Sequence, residues 1–226
     1  MTMKQTYLLA IETVGKLCGI AIHDAVHGHA LIEYVIHIPN MHDALLAELI
    51  RRAMKDLDIE SEQISVIAVS EGPGSFTGVR IGMSFAKGWC ADGKTILVSV
   101  PTFHAMFASA RQYVTDTHLT TMSIIMKSHA DSYFMQSFDV LTGQHISSIE
   151  IVHYEQAIQS LDATHIVIGD ISIQDSTIKR IPIQTSHPTY IAKYGYQMYV
   201  QSQFTSPHEA DSEYHSEFIP TIGKQN

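Results

Sequence analysis

Only two cysteines occur in the 226 residues, too few for the disulfide framework by which small secreted domains replace a core. Cys18 and Cys90 fall in an expected strand and an expected helix, so they read as buried thiols of a reducing compartment. Cations are scarce as well. With 14 Lys and Arg against 23 Asp and Glu the formal charge is −9, which argues against a free-standing nucleic-acid binder, because phosphate contacts by Lys and Arg supply most of that affinity. Any RNA must be met through a partner. No stretch approaches the roughly 18 consecutive apolar residues of a membrane span, and the opening apolar run, which meets Glu12 at once, is too short for the core of a secretion signal. The expected location is the cytoplasm, with no membrane partner.

What is present is ample material for a core, since 45% of the chain is hydrophobic. The opening reads as three strands, "TYLLAIET", "CGIAIHDAV" and "ALIEYVIHIP", in an antiparallel meander. The histidine-rich "HDAVHGH" between the last two, residues 23 to 29, reads as an exposed polar hairpin turn; no carboxylate or cysteine completes a tetrahedral metal set around His23, His27 and His29. "MHDALLAELIRRAMKDLDI" then places Leu45, Leu46, Leu49, Ala53 and Leu57 at helical spacing with charges opposite. A buried strand "ISVIAVS", the loop "EGPGSFTG", a helix through "GVRIGMSFAKGWCADG" closed by Gly93, and strand "TILVSV" make a β-α-β unit. A helix from Thr102 to about Val114 follows, after which a strand pair from residue 121 and "THIVIGD" restart the pattern. The expected architecture is α/β, with mixed sheets and flanking helices in two lobes, 1–116 and 117–226. "DSEYHSEFIP" near the end reads as a surface strand or extended tail.

The glycine loop at 71–82 fits none of three phosphate-binding or nucleophile templates. A dinucleotide fingerprint begun at Gly72 finds Thr77 in place of its third glycine, Gly78 is followed by Val79 and not the Lys of a Walker loop, and Ser75 adjoins Gly74 where a hydrolase elbow needs a spacer. What remains is geometric: Gly72-Pro73-Gly74 turns the chain off a strand, and Ser75 or Thr77 caps the next helix. Gly78, Gly82 and Ala86 then leave a nearly bare strip. A helical glycine costs about 1 kcal/mol relative to alanine, so two on one face imply close approach of another backbone, from a partner or from the chain's own sheet. The expectation carried forward is a partner's helix, on which Gly82→Leu leaves the fold intact and abolishes partner binding.

"IAVSEGPGSFTGVRIGMSFAKG" closely resembles the signature stretch of the TsaB family, also called YeaZ. "LLAIET" is similar to that family's L-A-I-D-T-S and "MHDALLAEL" to its H-S-x-x-L-L, so the likeness is dense over residues 7 to 103. It thins beyond. Where the family has D-A-R-R-x-E-V-Y this chain has "MKSHADSY" at 126–133, keeping Asp131 and Tyr133, and Glu12 and Val14 replace aspartate and serine. The resemblance implies an actin-like ATPase fold of two ribonuclease-H-like lobes and a partnership with TsaD in making threonylcarbamoyladenosine at position 37 of tRNAs that read ANN codons. It implies pairing through the first two helices as a four-helix bundle, with the TsaE ATPase joining the pair. The interface then falls on His42, Leu45, Leu46 and Leu49 of the first helix and on Phe76, Thr77, Arg80, Met83 and Lys87 of the second, beside the strip Gly78, Gly82 and Ala86. Arg80, placed in a helix's first turn against the macrodipole, awaits a partner's carboxylate, a bound anion or solvent.

Active members of that fold hold a nucleotide between the lobes, and Glu12 with Lys16 would be the remnant of such a site. The second lobe carries only four widely spaced glycines, Gly143, Gly169, Gly195 and Gly223, and no second phosphate loop. The expectation is a pseudoenzyme with no catalytic residue, metal or cofactor of its own, ATP and metal being held by TsaD, with tRNA met only through the complex and a homodimer formed alone. Two other classes stay open: an autonomous ATP-dependent kinase or ATPase of the same fold, and a peptidase, for which no H-E-x-x-H motif or Ser-His-Asp set is present.

Overall fold

The structure, a computed structural model, describes residues 6–38 and 41–210. The stretch "DSEYHSEFIP" lies outside the described residues. Strands β1 (Tyr7–Glu12), β2 (Cys18–Asp24) and β3 (Ala30–Ile36) form the expected antiparallel meander, and β4 (Ile64–Gly72) and β5 (Ile96–Pro101) add parallel to β1, giving the order β3-β2-β1-β4-β5. Between them run α1 (His42–Asp56) and α2 (Phe76–Trp89). Helix α3 (Thr102–Arg111) leads to a second sheet of β6 (Thr121–Lys127), β7 (Ser132–Asp139), β8 (Glu150–His153), β9 (His165–Gly169) and β10 (Lys179–Arg180), with α4 (Tyr154–Gln159) after β8 and α5 (Pro188–Val200) last.

Read from its other edge, the second sheet has the order β8-β7-β6-β9-β10, with the first three strands antiparallel and the last two parallel. Both lobes therefore share one topology, the doubled ribonuclease-H-like arrangement of the actin-like fold. Strand alternation sorts the layers. Tyr7, Leu9 and Ile11 of β1 face α1 and α2, while Leu8 and Ala10 face α5. Helix α3 is shared: Ala105 packs toward the first sheet, and Phe103, Met106 and Phe107 pack on Ile124, Phe134 and Phe138 of the second.

One boundary is corrected. The second sheet ends at β10, and α5 returns to the first lobe, where Gly195 comes so close to β4 that an added Cβ would lie 2.5 Å from Ala68 Cβ. Thr205 then pairs with Leu97 of β5 (3.0 and 2.8 Å to Ser99 and Leu97), and Ala210 is buried beside α2. Residues 188–210 thus belong with the first sheet and not with a lobe 117–226. The small residues Ala10, Ala21 and Ala68 admit α5 on that face, a signal too diffuse to read before the pairing is known.

The thiols are buried as expected, and burial pushes both Cys18 and Cys90 up to about 11. The histidine turn differs from expectation. His23 and Asp24 are buried; the His23 ring lies 3.2 Å from the Gly28 carbonyl oxygen, and Asp24 accepts the amides of Val26 and His27 at 2.8 Å. Of the three histidines His27 and His29 stay exposed, stacked on each other. Among the described residues no three His, Cys, Asp or Glu side chains converge on a metal position.

Candidate functional site

The glycine loop fixes how α2 seats on the sheet. The Ser75 amide donates to the Val14 carbonyl (2.8 Å), and Ser75 Oγ caps α2 by accepting the Gly78 amide (3.2 Å). Thr13 Oγ1 donates to the Gly78 carbonyl at 2.7 Å. A Cβ built on Gly78 would lie 2.0 Å from the Thr13 carbonyl oxygen, and one on Gly82 would lie 2.5 Å from Thr13 Oγ1. The bare strip is therefore occupied by the β1–β2 turn of the same chain. Gly78, Gly82, Met83 and Ala86 are buried against it and the sheet.

Outward-facing residues of the two helices are different ones. On α2, Thr77, Arg80, Ser84 and Gly88 are exposed and Ile81, Phe85 and Trp89 half-buried; on α1, Ala44, Ala47, Glu48 and Arg51 are exposed and Leu45 half-buried. Between them runs a groove of about 620 Å³, floored by Ile50, Met54, Phe85 and Trp89 and rimmed by Arg51, Lys55, Asp58 and Glu60. The Arg80 guanidinium stacks on the Phe76 ring, 3.7 Å from its centroid, so its charge is carried over an aromatic face of its own helix.

A second concavity, about 360 Å³, lies between the lobes at the strand ends, lined among others by Gly15, Lys16, Ser75, Lys127, Asp170 and Thr185. Lys16 Nζ pairs across it with Asp170 Oδ2 (3.3 Å), and Asp170 Oδ1 accepts the Lys127 amide (2.6 Å). Beneath it Glu12 is fully buried, with Oε1 accepting the Val14 amide at 2.7 Å. Desolvation raises its pKa above the ordinary carboxylate range, opposed by Ser186, the Val14 and Gly15 amides and Ser70. These two residues do not fit a nucleotide with its metal: the carboxylate is walled off from the cleft, and the cation is already neutralised by a carboxylate of the opposite lobe.

The family described as "TsaD: tRNA N6-adenosine threonylcarbamoyltransferase" matches residues 38–140, from the approach to α1 through β7. The tRNA threonylcarbamoyladenosine biosynthesis protein TsaB of Bacillus subtilis is 31% identical over 110 residues, 47% of this chain and 45% of that protein. Its counterpart from Buchnera aphidicola subsp. Schizaphis graminum is 24% identical over 72% of this chain and 78% of its own length. The chain is similar to TsaB proteins. YeaZ from Pseudomonas aeruginosa superposes with a TM-score of 0.76 over 92% of this chain and 99% of its own, at 17% identity, which establishes the common fold. The matched stretch spans less than half of the Bacillus subtilis and Escherichia coli TsaB proteins.

The nominated interface residues divide. Leu45, Thr77 and Arg80 face outward or sit half-buried, and Phe76 lies at the start of α2 under Arg80. His42, Leu46, Leu49, Gly78, Gly82, Met83 and Ala86 are buried within the chain. His42 is a correction with a clear cause: its Nε2 lies 3.0 Å from the Leu17 carbonyl oxygen, tying α1 to β2. Lys87 donates to the Ala210 carbonyl at 2.8 Å and so serves an internal contact. The outward face of α2 also carries Ile81, Ser84, Phe85, Gly88 and Trp89, which the sequence reading did not single out although their three- and four-residue spacing was a usable signal. Asp170 was missed because its partner, Lys16, is distant in sequence.

Proposed function

We propose that this chain is a non-catalytic subunit that binds TsaD through the outward faces of α1 and α2 and supports threonylcarbamoyl transfer to adenosine 37 of tRNAs reading ANN codons. The observation that carries the proposal is the apolar groove between those helices, lined by the half-buried Met54, Phe85 and Trp89. The matched TsaD family stretch includes both helices, so the two proteins would present related faces and pair about a pseudo-twofold axis, as like surfaces do in isologous contacts. The chain alone would form a homodimer by the same faces. ATP, metal and the reacting groups would be held by TsaD, TsaE would join the pair, and tRNA would be met through the complex, in the cytoplasm. Among the described residues no helix is long and apolar enough to cross a membrane.

The test is copurification with TsaD followed by modification assays with each component omitted. Ser84→Arg, at an exposed position of α2, is expected to abolish copurification without lowering the melting temperature. Retained binding by that variant would place the contact elsewhere. The second reading, an autonomous ATPase, rests on the interlobe cleft and is addressed below through Asp170.

A further inference from the structure

We infer that Glu33 and His187 form a pH-sensitive latch, which holds the segment entering α5 against β3 while the imidazole is charged and loosens it when the imidazole is neutral. Ile181 and Ile183 still bond to β9, so the crossing from the second sheet to α5 is made by residues 184–187. Gln184 and Thr185 line the cleft between the lobes, and a Cβ built on Gly15 would lie 2.6 Å from Thr185 Oγ1. Ser186 is fully buried beside Glu12. His187 Nδ1 then lies 3.6 Å from Glu33 Oε1, and the same oxygen accepts the Thr189 amide at 3.0 Å.

One carboxylate oxygen thus caps α5, whose N-cap His187 makes no side-chain cap bond of its own, and serves as counter-charge to the imidazole. Around the pair stand the His37 ring at 6.4 Å and the Tyr190 ring at 5.7 Å from that of His187, and Glu12 of β1, whose charge favours the imidazolium. On the β2 side His23 lies in the fields of Glu33 and of Lys193 of α5, while His104 of α3 meets α5 further along, at Tyr194. Pairing with Glu33 raises the His187 pKa above 6.5 against the opposing effect of burial, and Glu33 is held down at about 2. The pair therefore contributes fully below the ordinary histidine value and is lost as pH rises through the folded-state value, with Glu33 ionised throughout. The Thr189 amide keeps its acceptor at every pH in this range, so the segment loosens without α5 undocking. Loosening frees residues 184–186 from the cleft wall and lets solvent reach Glu12.

Backbone hydrogen exchange of the full chain, corrected for the intrinsic pH dependence of exchange and read beside an NMR titration of the His187 ring, tests the latch. Protection of residues 184–189 relative to α1 should fall as pH rises through the His187 midpoint. Glu33→Gln should lower that midpoint, and each unit of lowering should correspond to about a tenfold loss of protection between the acid and alkaline limits of the parent. His187→Lys, charged at both limits, should keep protection high and level, and His187→Gln should keep it low and level. Protection that ignores pH while the His187 ring titrates would overturn the inference, as would a loss that persists in His187→Gln. A loss shared equally by α1 would also overturn it, by assigning the effect to the stability of the whole fold.

Discussion

Two glycines of one helix separate what a residue does for the fold from what it offers a partner. Gly78 lies where an added methyl would meet the Thr13 carbonyl at 2.0 Å, whereas Gly88 on the same helix opens to solvent. Overpacking a rigid backbone contact costs about 1–3 kcal/mol, and replacing an exposed helical glycine by alanine returns about 1 kcal/mol. Gly78→Ala should therefore lower, and Gly88→Ala raise, the free energy of unfolding measured in urea. By the same geometry, Gly82→Leu damages the fold and says nothing about binding. Glu12 yields a pH dependence of definite sign. Its folded-state pKa is raised above the ordinary 4.5, so well below that pH both states are protonated and the burial has no ionisation cost. As pH climbs, the unfolded chain ionises first, and stability falls until the folded-state pKa is passed. Glu12→Gln lacks this titration and retains an acceptor for the Val14 amide. Its stability relative to the parent should rise with pH from about 4.5 until the folded-state pKa is passed and stay level beyond it, and equal slopes in the two pH profiles would refute the assignment.

At the scale of elements, the Ser84→Arg test works because α2 has two faces with separate duties. Exposed substitutions away from caps and contacts change stability by about 0.5 kcal/mol at most, so lost TsaD binding in that variant would report on the outer face alone. The sequence pattern located the strands and helices of residues 7–111, since alternating apolar runs, the Ser75 cap and the Gly93 stop, which adopts a φ of 72°, are local signals, but it did not find helix α5 (Pro188–Val200). It could not say which side of α2 faces the sheet. Both faces carry apolar residues four apart, Val79-Met83 and Ile81-Phe85-Trp89, and small residues four apart, Gly78-Gly82 and Ser84-Gly88. Only the Thr13 turn, some 65 positions from Gly78 in sequence, decides between them. The restart of the topology in the second lobe was legible from its strands, whereas the return of α5 to the first sheet depends on tertiary packing that no local pattern records.

For the whole molecule, the question is whether the cleft between two like lobes still serves a ligand. Lys16 is 79% exposed and lies 3.3 Å from Asp170 of the opposite lobe, so this pair adds little to stability, about 0–1 kcal/mol. Its effect is on charge: a carboxylate stands where an anionic group would meet the lysine. Asp170→Asn removes that charge but retains an oxygen for the Lys127 amide, which the parent holds at 2.6 Å. Two charges about 4 Å apart in water-like surroundings interact by about 1 kcal/mol. The asparagine variant should therefore bind inorganic phosphate about fivefold more tightly than the parent, and adding Lys16→Ala should cancel the gain. Calorimetry with ATP and magnesium on the parent chain is expected to show no tight binding, because Glu12 is sealed beneath the cleft. Micromolar binding by the parent would mean that a ligand displaces the Lys16–Asp170 pair and exposes Glu12, and it would move the chemistry from the partner to this chain.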